Sequence, residues 1–307
     1  MVALFLAFAL VATVGFSVRM AGSQGRVGEA ATGEARAISR AAARARPHEL
    51  PRGGRRLFPD YRVVALYGSP LSHRLGRLGL GPPSFAAEAL REQARDYEGT
   101  RPVIPALELV STVAGRHPGP DGSYALRLPD ETIGAYLSEV RALRGLLIID
   151  LQPGRRSFQE EVRHYEAFLK QPDVGLALDP EWRVASGEVP GRVVGAVSAG
   201  EVNAVIDYLA NIVRQYDLPQ KLLVVHQFRP SMVRKRHTLH ARPEVAVTLD
   251  IDGVGGRSAK IANYEDLASG PEGAFHGIKL YYTKDVGLMA PWQILSLQPE
   301  PDLVIYQ

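Results

Sequence analysis

Two carboxylates follow a short apolar run in the middle of the chain. The run Val174–Leu178 continues into Asp179, Pro180 and Glu181. Because side chains alternate across an extended strand, Asp179 and Glu181 fall on one face, about 6.5 Å apart. Like-charge repulsion and partial burial raise the pKa of a carboxyl group, so one of such a pair can keep its proton while the other ionises. Acid–base hydrolysis of a glycosidic bond requires that combination.

Polar side chains also end the other apolar runs of the chain. Those that we predict to line the same pocket are Tyr67, Glu108, Asp150, Gln152, His226, Gln227, Asp250, Asp252, Lys279 and Tyr281. Each lies at the C-terminal end of its run, where parallel barrels place their catalytic groups. Trp182 directly follows the acid pair. Its ring suits stacking on a sugar, and packing under the loop 183–197 is the alternative interpretation.

The D-x-E sequence after the fourth strand, together with the terminal Tyr306-Gln307, resembles secreted glycoside hydrolases of the family 25 lysozyme and family 18 chitinase kind. The resemblance implies that Glu181 is the general acid and that Asp179 stabilises the developing positive charge or orients the substrate. Asp150 or Asp250 would orient a nucleophile or substrate hydroxyls. The chain as a whole resembles exported bacterial (β/α)-barrel proteins, and that likeness implies no activity.

Two other functions fit the same residues. The first is a metal-dependent hydrolase or phosphodiesterase, with hard ligands from Asp150, Asp179, Glu181, His226, Asp250 and Asp252. The first strand has no His-x-His pair, and we expect His226 to be a hydrogen-bonding residue, so we predict no metal and no cofactor. The second is a surface protein that binds glycan without cleaving it.

From Tyr61 onward, short apolar runs alternate with helical patterns. The strands predicted from these runs carry the polar residues described above. This alternation is typical of βα units and a parallel sheet. The predicted strands are Arg62–Tyr67, Val103–Leu109, Gly145–Leu151, Val174–Leu178, Lys221–His226, Val245–Asp250, Gly277–Tyr282 and Asp302–Tyr306. Eight strands favour a closed barrel, because closure leaves no unpaired edge. The open doubly wound sheet is the alternative, but no glycine-rich phosphate loop follows the first strand.

Capping signals predict the connecting helices. Ser157 and Ser198 each precede a Glu by three residues and open capping boxes. The predicted helices are Phe85–Tyr97 capped by Ser84, Glu131–Leu143 capped by Asp130, Phe158–Lys170, Ala199–Tyr216, Ser231–Leu239, Tyr264–Ser269 and Ala290–Leu297.

Composition limits the partners and the compartment. The net charge is only +3 and no basic patch alternates with aromatics, so we expect no nucleic-acid partner. Cysteine is absent, which excludes disulfides and thiol chemistry. The uncharged apolar run 2–18 predicts a signal peptide or membrane anchor over 1–18, followed by a Gly/Ala/Arg-rich linker over 19–60. We therefore expect a single (β/α)8 TIM-type barrel over 61–307 that lacks its last helix. It would be extracellular or anchored at the cell envelope and would act on a polysaccharide there.

Overall fold

The structure, a computed structural model, describes residues 48–99 and 101–307. Eight parallel strands form its barrel: β1 (Arg62–Gly68), β2 (Val103–Ala114), β3 (Leu146–Leu151), β4 (Val174–Leu178), β5 (Lys221–Gln227), β6 (Val245–Ile251), β7 (Phe275–Leu280) and β8 (Leu303–Tyr306). Each strand pairs with the next one along the chain, and β8 pairs with β1. The closed parallel barrel predicted from the sequence is confirmed.

Helices connect the strands and cover the outside of the barrel. They are α1 (Pro83–Arg95), α2 (Asp130–Ala142), α3 (Phe158–His164), α4 (Glu166–Leu169), α5 (Ala199–Gln215), α6 (Arg257–Ala268) and α7 (Pro291–Leu295). The strand Ala125–Arg127 pairs antiparallel with the end of β2, and Val197–Ser198 pairs with Val233–Arg234. Single 3-10 turns lie at His73–Leu75, Arg77–Gly79, Pro180–Trp182, Pro230–Met232 and Arg236–Thr238.

The predicted caps at Ser157 and Ser198 form, but those at Ser84 and Asp130 do not. Ser157 and Glu160 make the full capping box at α3, and the Ser198 hydroxyl accepts the amide of Glu201 at α5. At α1 and α2 the capping positions belong to Pro82 and Pro129 instead of Ser84 and Asp130. Both prolines have extended backbone, and each helix begins at the next residue, so the expected caps lie inside the first turn.

Two helix predictions in the second half were wrong in extent or kind. Residues 231–239 do not form a helix, because Lys235 has a left-handed backbone (φ 57°) that separates two 3-10 turns. The predicted helix Tyr264–Ser269 is only the last part of α6, which begins at Arg257. The N-cap of α6 is Gly256, which has no side chain to signal the start.

Side-chain alternation divides the apolar core into two layers. One layer lies between strands and helices and includes Leu107, Leu176 and Ile206. The other fills the barrel interior and includes Ala65, Ile148 and other small or branched side chains of the strands. The interior positions become polar toward the C-terminal ends, so this end of the barrel holds the candidate site.

Residues before the first strand close the opposite end of the barrel. Leu50, Leu57 and Phe58 are buried and belong to the interior apolar cluster. The Phe58 ring packs against Phe275, with 5.1 Å between centroids, and the Leu57 amide donates to the Gln220 side chain just before β5. The barrel's core therefore reaches back to Leu50, before the boundary expected at residue 61. We call residues 50–58 the N-terminal plug.

The predicted signal or anchor segment, 1–18, and most of the predicted linker lie outside the described residues. Within 48–99 and 101–307, every helix is too short or too polar to cross a bilayer.

Candidate functional site

The predicted pocket residues gather at the C-terminal end of the barrel, and most of them are buried. Those with no more than a few per cent of their surface exposed are Tyr67, Glu108, Asp150, Gln152, Asp179, His226, Gln227, Asp250, Asp252, Lys279 and Tyr281. Glu181 and Trp182 are partly exposed. The deepest acids, Glu108, Asp150 and Asp250, have no solvent-exposed surface.

His226 lies between two carboxylates. Its Nδ1 is 2.9 Å from Asp250 Oδ2, and its Nε2 is 2.7 Å from Glu108 Oε1. The register of β5 and β6 places His226 beside Asp250, whereas Glu108 reaches it from across the barrel. Burial alone lowers the pKa of His226, but the charge of Glu108 and both hydrogen bonds raise it well above its usual value.

Asp150 is buried beside this triad without a partner for either carboxylate oxygen. The Tyr67 hydroxyl lies near it, but neither Asp150 oxygen has a hydrogen bond of normal geometry. Burial raises the pKa of Asp150 to about 7, against the opposing influence of the His226 charge. Its carboxylate lies close to Glu108 and His226: one ligand atom from each of the three residues falls within 4.8 Å of the others.

Gln152, which follows β3, links the C-terminal ends of β1, β2 and β4 at the mouth. Its Nε2 donates to the Tyr67 hydroxyl at 3.3 Å and to Asp179 Oδ2 at 3.1 Å, while its Oε1 accepts the amide of Ala114. These contacts fix the amide orientation and hold one oxygen of Asp179. The other Asp179 oxygen has no hydrogen-bond partner, and burial with repulsion from Asp150 raises the pKa of Asp179 to about 8.

Glu181 lies in the 3-10 turn Pro180–Trp182, between the buried cluster and solvent. Its backbone oxygen accepts the amide of Gly195 at 2.7 Å, so the loop after β4 folds back over this turn. Burial raises the pKa of Glu181 well above its usual value, and the charges of Asp179 and Asp252 raise it further. These influences all favour the protonated form of the side chain.

Lys279 brings a positive charge into this acidic end of the barrel. Its Nζ lies 3.3 Å from the centroid of the Tyr67 ring, a cation–π contact. Burial alone lowers the pKa of Lys279, but the surrounding carboxylates, Asp252 and Glu108 first, raise it overall. Tyr281, two residues on, donates its hydroxyl to the Asp252 backbone oxygen at 3.0 Å.

Two predicted residues lie apart from this network. Gln227 follows His226 in an extended strand and so points to the opposite face, where its buried amide has no hydrogen-bond partner. The Trp182 ring lies against Gly191: a Cβ added there would be 3.5 Å from it. Trp182 therefore packs on the loop 183–197, as the alternative interpretation expected.

A buried ion pair that the sequence analysis missed supports the mouth. Lys260 Nζ, from α6, lies 3.0 Å from Asp285 Oδ2 and donates to the backbone oxygens of Gly253 and Lys279. Asp285 also accepts the Tyr281 amide. The pair therefore joins the segments that follow β6 and β7. Lys260 lies in the first turn of a weakly amphipathic helix, so only its tertiary contacts reveal this role.

Comparisons with known proteins do not assign this chain to a family. No protein-family model matches the chain, and a search of curated proteins finds no match either. The function must therefore be inferred from the residues of the site.

Proposed function

We propose that this chain is a glycosidase-like hydrolase that uses carboxylate acid–base catalysis. The observation that supports it is the position of Glu181: it adjoins Asp179 and lies between the buried acids and solvent, where its raised pKa favours the protonated form. A glycosidase needs such an acid to protonate the leaving oxygen. Asp179, held by Gln152, is the partner that orients the substrate, and it stabilises the positive charge that develops on the sugar when it ionises, around its pKa of about 8.

The other acids would orient the substrate and the attacking water. Asp150 and Asp250 lie deeper than Glu181 and are fully buried, so they can reach only a group that enters the barrel mouth. A sugar residue at the end of a chain, or one in a loop-bounded cleft, fits this depth better than a flat polymer surface. The substrate in this proposal is a glycan at the cell envelope or outside the cell. The apolar run 2–18, which we interpret as a signal peptide or membrane anchor, is the reason for this location.

The proposal is tested with the full chain and a panel of envelope and extracellular glycans. Glu181→Gln keeps the shape of the side chain but removes the transferable proton. We expect reducing-end release to fall about 10²–10⁴-fold, the usual contribution of a general acid.

Glu265→Gln is the matched control, because it makes the same chemical change on an exposed face of α6. It should hydrolyse as the wild type does. Equal release by wild type and Glu181→Gln would remove Glu181 from the mechanism. Binding without release by the wild type would instead support a glycan-binding protein.

A further inference from the structure

The acids at the barrel mouth outnumber the positive side chains near them, and several of their oxygens have no partner. The carboxylate residues at this end are Glu108, Asp150, Asp179, Glu181, Asp250 and Asp252. Unpartnered oxygens remain on five of them: Glu108 Oε2, both of Asp150, Asp179 Oδ1, Asp250 Oδ1 and Asp252 Oδ1. Lys279 and His226 supply the nearest positive charges. A buried carboxylate without a partner costs several kcal/mol, so a site of this kind favours a further cation.

Three side chains offer that cation a defined position. Glu108, Asp150 and His226 each present one ligand atom, and these atoms lie within 4.8 Å of one another. Ligand atoms bound at about 2.0–2.2 Å from a metal ion are about 3–4 Å apart, so small side-chain rotations bring all three into range. Their strands, β2, β3 and β5, are rigid parts of the barrel.

The hydrogen bonds of His226 suit metal binding. Asp250 accepts a hydrogen bond from Nδ1 at 2.9 Å, so Nε2, which donates to Glu108 at 2.7 Å, is the nitrogen free to bind a metal once it loses its proton. Histidine ligands are commonly oriented by a carboxylate on the other ring nitrogen. A metal ion would replace the proton between Nε2 and Glu108. Gly277 permits this arrangement, because a Cβ there would lie 2.8 Å from Asp250 Oδ1.

We propose that Glu108, Asp150 and His226 form a binding site for a divalent transition-metal ion, with Asp250 as the positioning residue of His226. One imidazole and two carboxylates form a mixed N/O set that suits Zn²⁺ or Mn²⁺. The site goes beyond the proposed hydrolase function and does not rest on it. Asp179 and Glu181 lie outside the ligand set and stay available for proton transfer.

The experiment is titration of the chelator-treated full chain with Zn²⁺ and with Mn²⁺, followed by calorimetry and by the melting temperature. We expect about one ion per chain and a higher melting temperature on binding. Asp150→Asn and His226→Gln should each lower the affinity at least about 100-fold. Asp250→Asn should lower it about 10–100-fold, as expected of a residue that orients a ligand.

Asp252→Asn is the comparison variant: Asp252 Oδ2 lies 3.8 Å from His226 Nδ1, farther than Asp250, so this change removes the same charge from the same end of the barrel without removing a ligand or the hydrogen bond that orients one. It should keep the affinity within about tenfold. Without metal, Asp150→Asn should melt at or above the wild-type temperature, since it removes an unpartnered buried charge, and this shows that the variant folds. The proposal is overturned if neither ion binds, or if Asp150→Asn and Asp252→Asn weaken binding equally.

Discussion

Lys279 places an ammonium group among carboxylates that crowd the C-terminal end of the barrel. It is buried, and its charge acts on Asp252, Glu108 and their neighbours while its Nζ lies on the Tyr67 ring. A buried charge of this kind is retained because its removal leaves the opposite charges uncompensated. The residue therefore matters for stability as well as for any bound substrate.

We expect Lys279→Met to lower the free energy of unfolding by about 3–5 kcal/mol at pH 8 without metal. The loss should shrink at pH 5, because the pKa values of Asp150 and Asp179, about 7 and 8, leave both neutral there. Urea unfolding measures the effect. Lys235→Met, at an exposed position far along the chain from this cluster, should cost less than about 1 kcal/mol. Equal costs for the two variants would contradict this account of Lys279.

A second buried lysine predicts how stability depends on pH. Lys221 opens β5 and donates Nζ to the backbone oxygens of Gln171 and Val174, at 2.7 and 2.9 Å. Burial lowers the pKa of Lys221 to about 7, with a smaller opposing influence from Asp173. The unfolded state, with a lysine pKa of about 10.4, therefore binds more protons between these two values.

Stability attributable to Lys221 should thus rise as the pH rises from about 7 to about 10, by up to about 1.4 kcal/mol per pH unit. In Lys221→Met this contribution to the slope should be absent. Lys235→Met, at an exposed position, should keep the wild-type slope. Unfolding in urea at several pH values measures the slopes, and parallel curves for wild type and Lys221→Met would contradict the assignment.

At the scale of elements, side-chain alternation predicted the strands and most interior positions, but not Glu181, because the strand ends at Leu178 and Glu181 lies in the 3-10 turn Pro180–Trp182. Residues two positions apart on a strand share a face. This rule places Lys279 with Tyr281 and Asp250 with Asp252, and both pairs are buried at the mouth. Helix starts were predicted where a serine caps, as at Ser157, because that signal is local. Where proline or glycine holds the N-cap, the sequence has no capping side chain to read.

Contacts between elements could not be predicted from the sequence. The pairing of His226 with Asp250 follows from the register of two neighbouring strands, and its contact with Glu108 crosses the barrel. Neither register nor the shear of a barrel can be read from one chain's pattern. The Lys260–Asp285 pair was missed for the same reason, since its partners lie on separate segments.

The N-terminal plug is an element that the sequence assigned to the linker. We expect Phe58→Ala to lower the free energy of unfolding by about 3–5 kcal/mol, because a buried aromatic leaves a cavity. Phe85→Ala is the matched control: Phe85 is 51% exposed and Phe58 is 1% exposed. Phe85→Ala should cost less than about 1 kcal/mol, as measured by urea unfolding. Similar losses for both variants would show that residues 50–58 do not stabilise the barrel.

At the scale of the whole molecule, the two ends of the barrel differ: one holds the candidate site, and the other is filled by apolar side chains. Carboxylates, His226 and Lys279 gather where the strands finish, and apolar side chains with the plug fill the end where they start. Barrels of this kind commonly separate activity from stability in this way. Loops that follow the strands, such as 183–197 over Glu181, can therefore change without loss of the core.

The plug also gives the molecule an orientation. The chain enters the barrel at the end opposite its acids, and a strand of six residues spans about 20 Å. The acids therefore lie about one strand's length from the point where the described chain enters the barrel. Any segment attached before residue 48 joins the molecule at the end that holds no acids, so a partner bound there leaves the acid end open to substrate.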